Sequence, residues 1–317
     1  MRMRTWRWLM VVVALGGWIA GAGPARGLQG TPAATPGAGD GYAHPEWLVD
    51  AAWVAAHRSD SNVRIVALTP ADEFARAHIP GAAQIDWPEL ELTDTSEEPV
   101  ARWHGEVEAK LTALGVTPEQ TVVAYDGGTL WAARVWWVLD QLGHADKRIL
   151  NGGFAAWTAA GGEVETGASR VAPSAAPYRG TPNDGALATL DEVAASLDDP
   201  DVVRIDARTA EEYAAGHIPG AVNVNFPQNA APEPPKVWKS AEELRALYAA
   251  VGATPDKRII PYCTTGVRSA VTYFTLRLIG YERVALFTGS WAEWSAHPEL
   301  PQATGLEPMG TPVTSTR

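Results

Sequence analysis

The sequence predicts an α/β protein built from two tandem domains, each a mostly parallel sheet with helices on both faces. The first observation is an internal repeat, because His78-Ile79-Pro80-Gly81-Ala82 recurs as His217-Ile218-Pro219-Gly220-Ala221, an offset of 139 (217 minus 78). The second is the alternation of short apolar runs with helical segments, which is typical of parallel sheets covered by helices. The third is the length of 317 residues, which suits two domains.

The repeat continues beyond this motif. Val122–Asp126 matches Ile259–Cys263, and Trp157 matches Trp294, both at an offset of 137 (263 minus 126). Many different residue types recur in one order, so we interpret the chain as two copies of one domain. We expect the first domain over 45–165, a linker over 166–184, the second domain over 185–305 and a C-terminal tail over 306–317.

The elements of the second copy can be predicted in order from its apolar runs and helix-ending glycines. We expect strands over Val202–Asp206, Ala221–Asn225, Arg258–Tyr262 and Val284–Phe287, and helices over Ala210–Ala215, Ala241–Val251 and Ser269–Ile279. Ligands in such sheets bind beyond the carboxyl ends of the strands. A site is therefore expected just after Tyr262.

The N-terminus has the pattern of an export signal. Three arginines within the first seven residues precede an apolar run, Trp8–Ala20, and a small-residue motif, Ala20-Gly21-Ala22. This pattern predicts a signal peptide over 1–22 and a periplasmic or secreted protein with no stable membrane insertion after cleavage; a retained anchor is the alternative. The Gly, Pro, Ala and Thr content of 23–44 predicts a flexible linker.

Composition excludes several classes of partner. A net charge of -12 and a pI near 5.0 provide no basic surface for nucleic acid. The histidines lack metal-ligand spacing, and one cysteine cannot build a thiolate zinc site, so we expect no metal and no cofactor. We also expect a monomer, because a tandem pair already buries one face of each domain.

The only cysteine of the chain, Cys263, is the candidate nucleophile. It begins a short loop that ends at Ser269, where a helix is predicted. Backbone N–H groups and a helix N-terminus around a thiol lower its pKa, and Arg268 adds a fixed positive charge. A buried structural cysteine is the alternative, but an exported protein rarely keeps an unpaired thiol without a use.

Four motifs together resemble the tandem rhodanese-like sulfurtransferases, the family of thiosulfate and 3-mercaptopyruvate sulfurtransferases. They are Cys263-Thr264-Thr265-Gly266-Val267-Arg268, Ile205-Asp206-Ala207-Arg208, Gly216-His217-Ile218-Pro219-Gly220-Ala221 and Gly289-Ser290-Trp291-Ala292-Glu293-Trp294. The resemblance covers 45–305. It implies an inactive first domain, in which Asp126 replaces the cysteine, and a catalytic second domain.

The resemblance implies sulfur transfer from a small anionic donor to a thiophilic acceptor, such as cyanide or a thiol, through a persulfide on Cys263. We expect Arg208 and Arg268 to bind the donor, with a surface ion pair as the alternative for Arg268, and the loop amides to hold the sulfur. The remaining candidates are Thr264, Thr265, Gly266 and Val267 as binding residues, with Asp206 and Ser269 as supporting residues. Two arginine charges favour the doubly charged thiosulfate, and 3-mercaptopyruvate is the alternative donor.

The first copy lacks the arginines and the aspartate that the second copy has around its loop. It has Trp131 at the position of Arg268, Ala67 at that of Asp206 and Thr69 at that of Arg208. We therefore expect a structural domain that covers the entrance to the site; a separate binding role is the alternative.

Two further functions stay open. Cysteine-dependent phosphatases use a Cys-x5-Arg loop, whereas this chain has Cys-x4-Arg, a smaller loop that suits a lone sulfur better. A non-enzymatic sulfur carrier would use the same loop without turnover.

Overall fold

The computed structural model describes residues 41–312, with side chains described up to residue 310. The predicted export signal over 1–22 lies outside these residues, as do 23–40 of the predicted linker and 313–317 of the predicted tail. Between residues 41 and 312, no helix is long and apolar enough to cross a bilayer.

The first copy forms a five-stranded parallel sheet in the order β1-β5-β4-β2-β3. Its strands are β1 (Leu48–Val49), β2 (Val63–Leu68), β3 (Ala83–Ile85), β4 (Thr121–Tyr125) and β5 (Lys147–Leu150). Its helices are α1 (Ala51–His57), α2 (Ala71–Arg76), α3 (Glu97–Ala113), α4 (Ala133–Gln141) and α5 (Gly153–Ala159). All five residues of β4 are buried, as expected for a sheet covered on both faces.

The second copy has a parallel sheet in the order β7-β6-β8. Its strands are β6 (Val202–Asp206), β7 (Val222–Asn223) and β8 (Arg258–Tyr262), followed by an antiparallel pair, β9 (Ala303–Thr304) and β10 (Thr311–Pro312). Its helices are α6 (Leu190–Ala195), α7 (Ala210–Ala215), α8 (Ala241–Ala249), α9 (Val267–Leu278) and α10 (Ser290–Ser295). Parallel bridges join Val284 to Ile259 and Leu286 to Leu187, which continues the sheet beyond β8.

Two element boundaries differ from the sequence prediction for physical reasons. The helix after the cysteine loop begins at Val267 instead of Ser269, because Gly266 adopts a φ of 89° and turns the chain two residues earlier. The predicted strand over Val284–Phe287 forms only isolated bridges. Its neighbour in β8, Pro261, has no N–H and cannot continue the ladder.

The two copies share one hydrophobic core. Helix α4 of the first copy packs against α9 of the second, and all nine residues of α4 are buried. The rings of Trp136 and Phe274 meet edge to face with centroids 5.0 Å apart. A helix that is buried around its whole circumference is part of a core, and α4 buries Arg134, Asp140 and Gln141 together with its apolar residues. The cysteine loop, which leads into α9, is therefore built directly on the first copy.

Candidate active site

Cys263 follows β8 at the carboxyl end of the sheet, where the sequence predicts a site. Its side chain is buried, and the Gly266 N–H donates a hydrogen bond of 3.1 Å to Sγ. The Cys263 N–H is held by Ser290 Oγ at 3.1 Å. A side chain at position 266 would be strained by the positive φ, and its Cβ would lie 2.5 Å from Thr288 Oγ1. Glycine is thus required for the amide to point at the sulfur.

The pKa of the Cys263 thiol is lowered from its usual value. Burial raises it, but Ser269, the charge of Arg268 and the N–H of Thr265 together lower it by more. The loop thus favours the thiolate, which is the nucleophilic form. The environment predicted for Cys263 from the sequence is present in the structure.

Arg268 is held at the site by a carboxylate that the sequence analysis did not identify. Its Nη1 and Nη2 donate to Glu212 Oε2 at 2.6 Å and Oε1 at 2.8 Å, and Nη2 also donates to Thr264 Oγ1 at 2.6 Å. The hydrogen bond from Arg268 lowers the pKa of Glu212 to about 2. Glu212 thus stays charged and offsets the positive charge of Arg268 over the whole physiological range.

Arg208 lies in a buried ion pair with Asp206, at the end of β6. Its Nη2 is 2.6 Å from Asp206 Oδ2, its Nε is 3.0 Å from both carboxylate oxygens, and Nη2 also donates to the Gly216 carbonyl at 2.6 Å. Asp206 is 0% exposed and Arg208 is 3% exposed. The guanidinium carbon of Arg208 lies 4.9 Å from the centroid of the Trp291 ring. The backbone N–H of Trp291 donates to the Cys263 carbonyl. Donor binding by Arg208 stays a prediction, and neither Arg208 nor Trp291 is among the residues that line the cavity beside Cys263.

A small cavity of about 90 Å³ opens over the sulfur. Trp87 and Trp131 of the first copy form one wall, with their rings edge to face at 6.5 Å. The second copy supplies the other lining residues, which are Cys263, Thr264, Thr265, Val267 and Arg268. The structure therefore brings most of the predicted loop residues to one cavity, and the first copy contributes two of its lining residues. In residues 41–312, no cluster of His, Cys, Asp and Glu side chains could hold a metal ion.

The first copy has a corresponding loop, and the side chain of Asp126 accepts the hydrogen bonds of its N–H groups. The carboxylate of Asp126 accepts hydrogen bonds from the N–H groups of Gly128 at 2.5 Å, Thr129 at 2.8 Å and Ala132 at 2.7 Å. Burial raises the pKa of this carboxyl, and the three N–H donors oppose that rise. The loop thus encloses an internal acceptor where the second copy has its thiol.

Replacing Asp126 with alanine should destabilise the fold without removing activity. The change leaves buried N–H groups without an acceptor, which costs at least about 1–3 kcal/mol of unfolding free energy. Urea denaturation measures this loss, and Asp126→Asn, which keeps an acceptor oxygen, should lose less. Turnover per folded molecule should be nearly unchanged. Loss of turnover by the folded Asp126→Ala protein would give the first copy a catalytic part.

Comparisons with known proteins agree with this geometry. A family model of the rhodanese-like domain matches the chain twice, over 50–160 and 189–297. The chain is 36% identical to the sulfur carrier protein TtuD of Thermus thermophilus, over 84% of this chain and 100% of that protein. It is 35% identical to a thiosulfate sulfurtransferase of Pseudomonas aeruginosa, over 75% of this chain and 89% of that protein.

Two solved structures share the fold. SseA from Escherichia coli, described as a 3-mercaptopyruvate sulfotransferase, matches with a TM-score of 0.69 and 31% identity, over 78% of this chain and 99% of that one. A cysteine-persulfide form of EanB with ergothioneine matches with a TM-score of 0.74 and 25% identity, over 83% of this chain and 72% of that one. With both copies matched and relatives aligned over nearly their full length, the chain belongs to the rhodanese family and is a sulfurtransferase.

Proposed function

We propose that the protein moves a sulfane sulfur from thiosulfate to a thiophilic acceptor, such as cyanide or a thiol, through a persulfide on Cys263. The observation that carries this proposal is the Gly266 N–H bonded to Cys263 Sγ beneath a small cavity. The thiolate attacks the outer sulfur of thiosulfate, the sulfur–sulfur bond breaks, and sulfite leaves with the electron pair. The acceptor then attacks the outer sulfur of the persulfide, which restores the thiolate.

The first copy supports a persulfide held by loop amides. The carboxylate oxygens of Asp126 stand two bonds from Cβ, as the outer sulfur of a loaded cysteine would. Their three N–H donors correspond, at the offset of 137, to the N–H groups of Thr265, Gly266 and Ser269. A negatively charged outer sulfur on Cys263 would therefore face the three corresponding N–H donors of the second copy.

The donor is the finer part of the proposal. Thiosulfate is supported by relatives named thiosulfate sulfurtransferase and by the presence of Arg268 at the cavity. The second candidate is 3-mercaptopyruvate, which carries a single negative charge. It is favoured by the pairing of Arg268 with Glu212, because the carboxylate offsets the charge of Arg268 and leaves less positive charge to balance a doubly charged donor. The similarity to SseA points the same way.

Two other functions have less support. A sulfur carrier is favoured by the similarity to TtuD, and it would take up sulfur without rapid turnover. A phosphatase is disfavoured by the Cys-x4-Arg loop, which is one residue shorter than the Cys-x5-Arg loop of the cysteine-dependent phosphatases.

Steady-state kinetics with thiosulfate and 3-mercaptopyruvate in parallel, with cyanide as acceptor, test the donor. We expect kcat/KM for thiosulfate to exceed that for 3-mercaptopyruvate by about tenfold or more, a free-energy difference of about 1.4 kcal/mol. The matched variant is Glu212→Gln, which removes the compensating charge. It should shift the ratio further towards thiosulfate, because Arg268 then presents its full charge to a dianion.

Intact mass after incubation with each donor completes the test. A gain of one sulfur atom with thiocyanate formation supports the proposal, and the reverse preference would identify 3-mercaptopyruvate as the donor. Sulfur uptake without cyanide turnover would make the protein a carrier. If neither donor loads Cys263, sulfur transfer through this residue is wrong.

We also propose that the protein acts as an exported monomer. The basic and apolar N-terminal pattern supports export, and the core shared by the two copies supports a monomer. N-terminal sequencing of protein recovered from the periplasm or medium, with light scattering for mass, tests both parts.

A further inference from the structure

Arg134, in α4 of the first copy, is a fully buried cation. Its Nη1 donates to Thr288 Oγ1 at 2.9 Å, its Nη2 donates to the Leu90 carbonyl at 2.5 Å, and its guanidinium lies 4.6 Å over the ring of Trp137. Nε has no hydrogen-bond partner among the described residues. No carboxylate within residues 41–310 forms an ion pair with it. Burying a charge without an opposite charge beside it lowers the stability of the fold. A buried arginine without an ion pair therefore calls for a functional explanation.

The guanidinium lies against the back of the cysteine loop. A Cβ placed on Gly266 would be 3.0 Å from Arg134 Nη1 and 2.5 Å from Thr288 Oγ1. The N–H of Gly266 donates to Cys263 Sγ. Gly266 is thus in contact with both the cation of the first copy and the sulfur of the second.

The thiolate of Cys263 acts on Arg134 more strongly than any carboxylate does, although Ser269, Arg268 and Thr265 contribute more than Arg134 to lowering the pKa of Cys263. Burial lowers the pKa of Arg134 to about 10; the negative charge of Cys263 opposes this fall, and Glu91 does so less strongly. On the other side of the loop, Arg268 is already offset by Glu212. Arg134 is therefore a cation near the sulfur that forms no ion pair with a carboxylate among the described residues.

We propose that Arg134 is a positioning residue supplied by the first copy, which holds Gly266 in place and stabilises the negative charge of Cys263 as thiolate and as persulfide. The role is specific to the first copy, because the position that corresponds to Arg134 at the offset of 137 is Val271. Its persulfide part rests on the proposed function, whereas its thiolate part does not.

The rate of iodoacetamide alkylation as a function of pH tests this inference, because the chain has a single cysteine and alkylation reports on it alone. Removing a positive charge near a thiolate raises the thiol pKa. Arg134→Gln and Arg134→Met should therefore move the alkylation midpoint up by about one unit, which lowers the rate below the midpoint about tenfold. Arg134→Lys should keep the midpoint near that of the wild type.

The matched control is Arg204→Met. Arg204 is also a buried arginine bound to carbonyls, those of Ser196 and Leu197, and its loss should lower stability without moving the midpoint. Sulfur transfer by Arg134→Gln should recover towards the wild-type rate as the pH is raised. A purely structural defect would not recover in this way.

A folded Arg134→Gln or Arg134→Met protein with the wild-type midpoint would overturn the inference. If neither folds, Arg134→Lys decides: an unchanged midpoint supports a charge effect, and a rise of about one unit contradicts it. The titration needs no sulfur donor. A wild type that titrates as expected but never takes up sulfur would therefore refute the proposed function and leave the role of Arg134 in thiolate formation standing.

Discussion

Cys263→Ser is expected to abolish sulfur transfer, lowering kcat/KM by more than about 1,000-fold. A serine hydroxyl is not ionised at neutral pH, and it cannot form a persulfide. The substitution changes one buried atom that accepts a hydrogen bond from Gly266, so the fold should be retained. Cyanide-dependent thiocyanate formation measures the loss, and intact mass should detect no added sulfur.

The repeat provides an internal control for this experiment. Asp126 occupies the same loop position in the first copy, and its variants should keep turnover while losing stability. Substantial residual transfer by Cys263→Ser would mean that sulfur passes through another group, and the persulfide mechanism would then be wrong.

Arg208→Ala is expected to lower the free energy of unfolding by about 3–5 kcal/mol, because it leaves the fully buried Asp206 carboxylate without its partner. Urea denaturation at neutral pH measures the change. The double variant Asp206→Asn with Arg208→Ala removes the orphaned charge and should regain part of the loss. Together with Asp206→Asn alone, these variants form a thermodynamic cycle that separates the ion pair from the packing of Arg208 on Trp291.

The same experiment tests the role that the resemblance gives to Arg208. A donor ligand would raise KM when removed and would cost little stability. A small change in unfolding free energy with a large rise in KM would therefore show that Arg208 leaves Asp206 to bind the donor, contrary to the contacts seen here.

The sequence was sufficient to predict the two copies, their parallel sheets and the place of Cys263 at the carboxyl end of β8, because these depend on local patterns. Recurring motifs indicate the repeat, and the apolar run that ends at Tyr262 indicates β8. Cys263 stands out as the only cysteine of the chain. The exact start of α9 depended on the backbone angle of Gly266, and the broken ladder at Val284–Phe287 depended on pairing with Pro261. Such features arise from neighbours in space.

The partners of the site residues were harder to predict for the same reason. Glu212 has a counterpart in Glu73 of the first copy, so its acidic side chain gave no indication of a role beside Arg268. Trp131 was recognised only as a replacement for an arginine, although its ring walls the cavity. The sequence does single out Arg134, because it is a charged residue beside the apolar run of α4. Only the packing of α4 on α9 reveals what that charge faces.

The packing of α4 on α9 also means that the domain without a nucleophile cannot be discarded. Cutting the chain between the copies would expose two apolar helices to water and remove the tryptophan wall, so a gene fragment encoding only the carboxyl half should yield an insoluble product. The half without a cysteine thus serves as scaffold for the half that carries it.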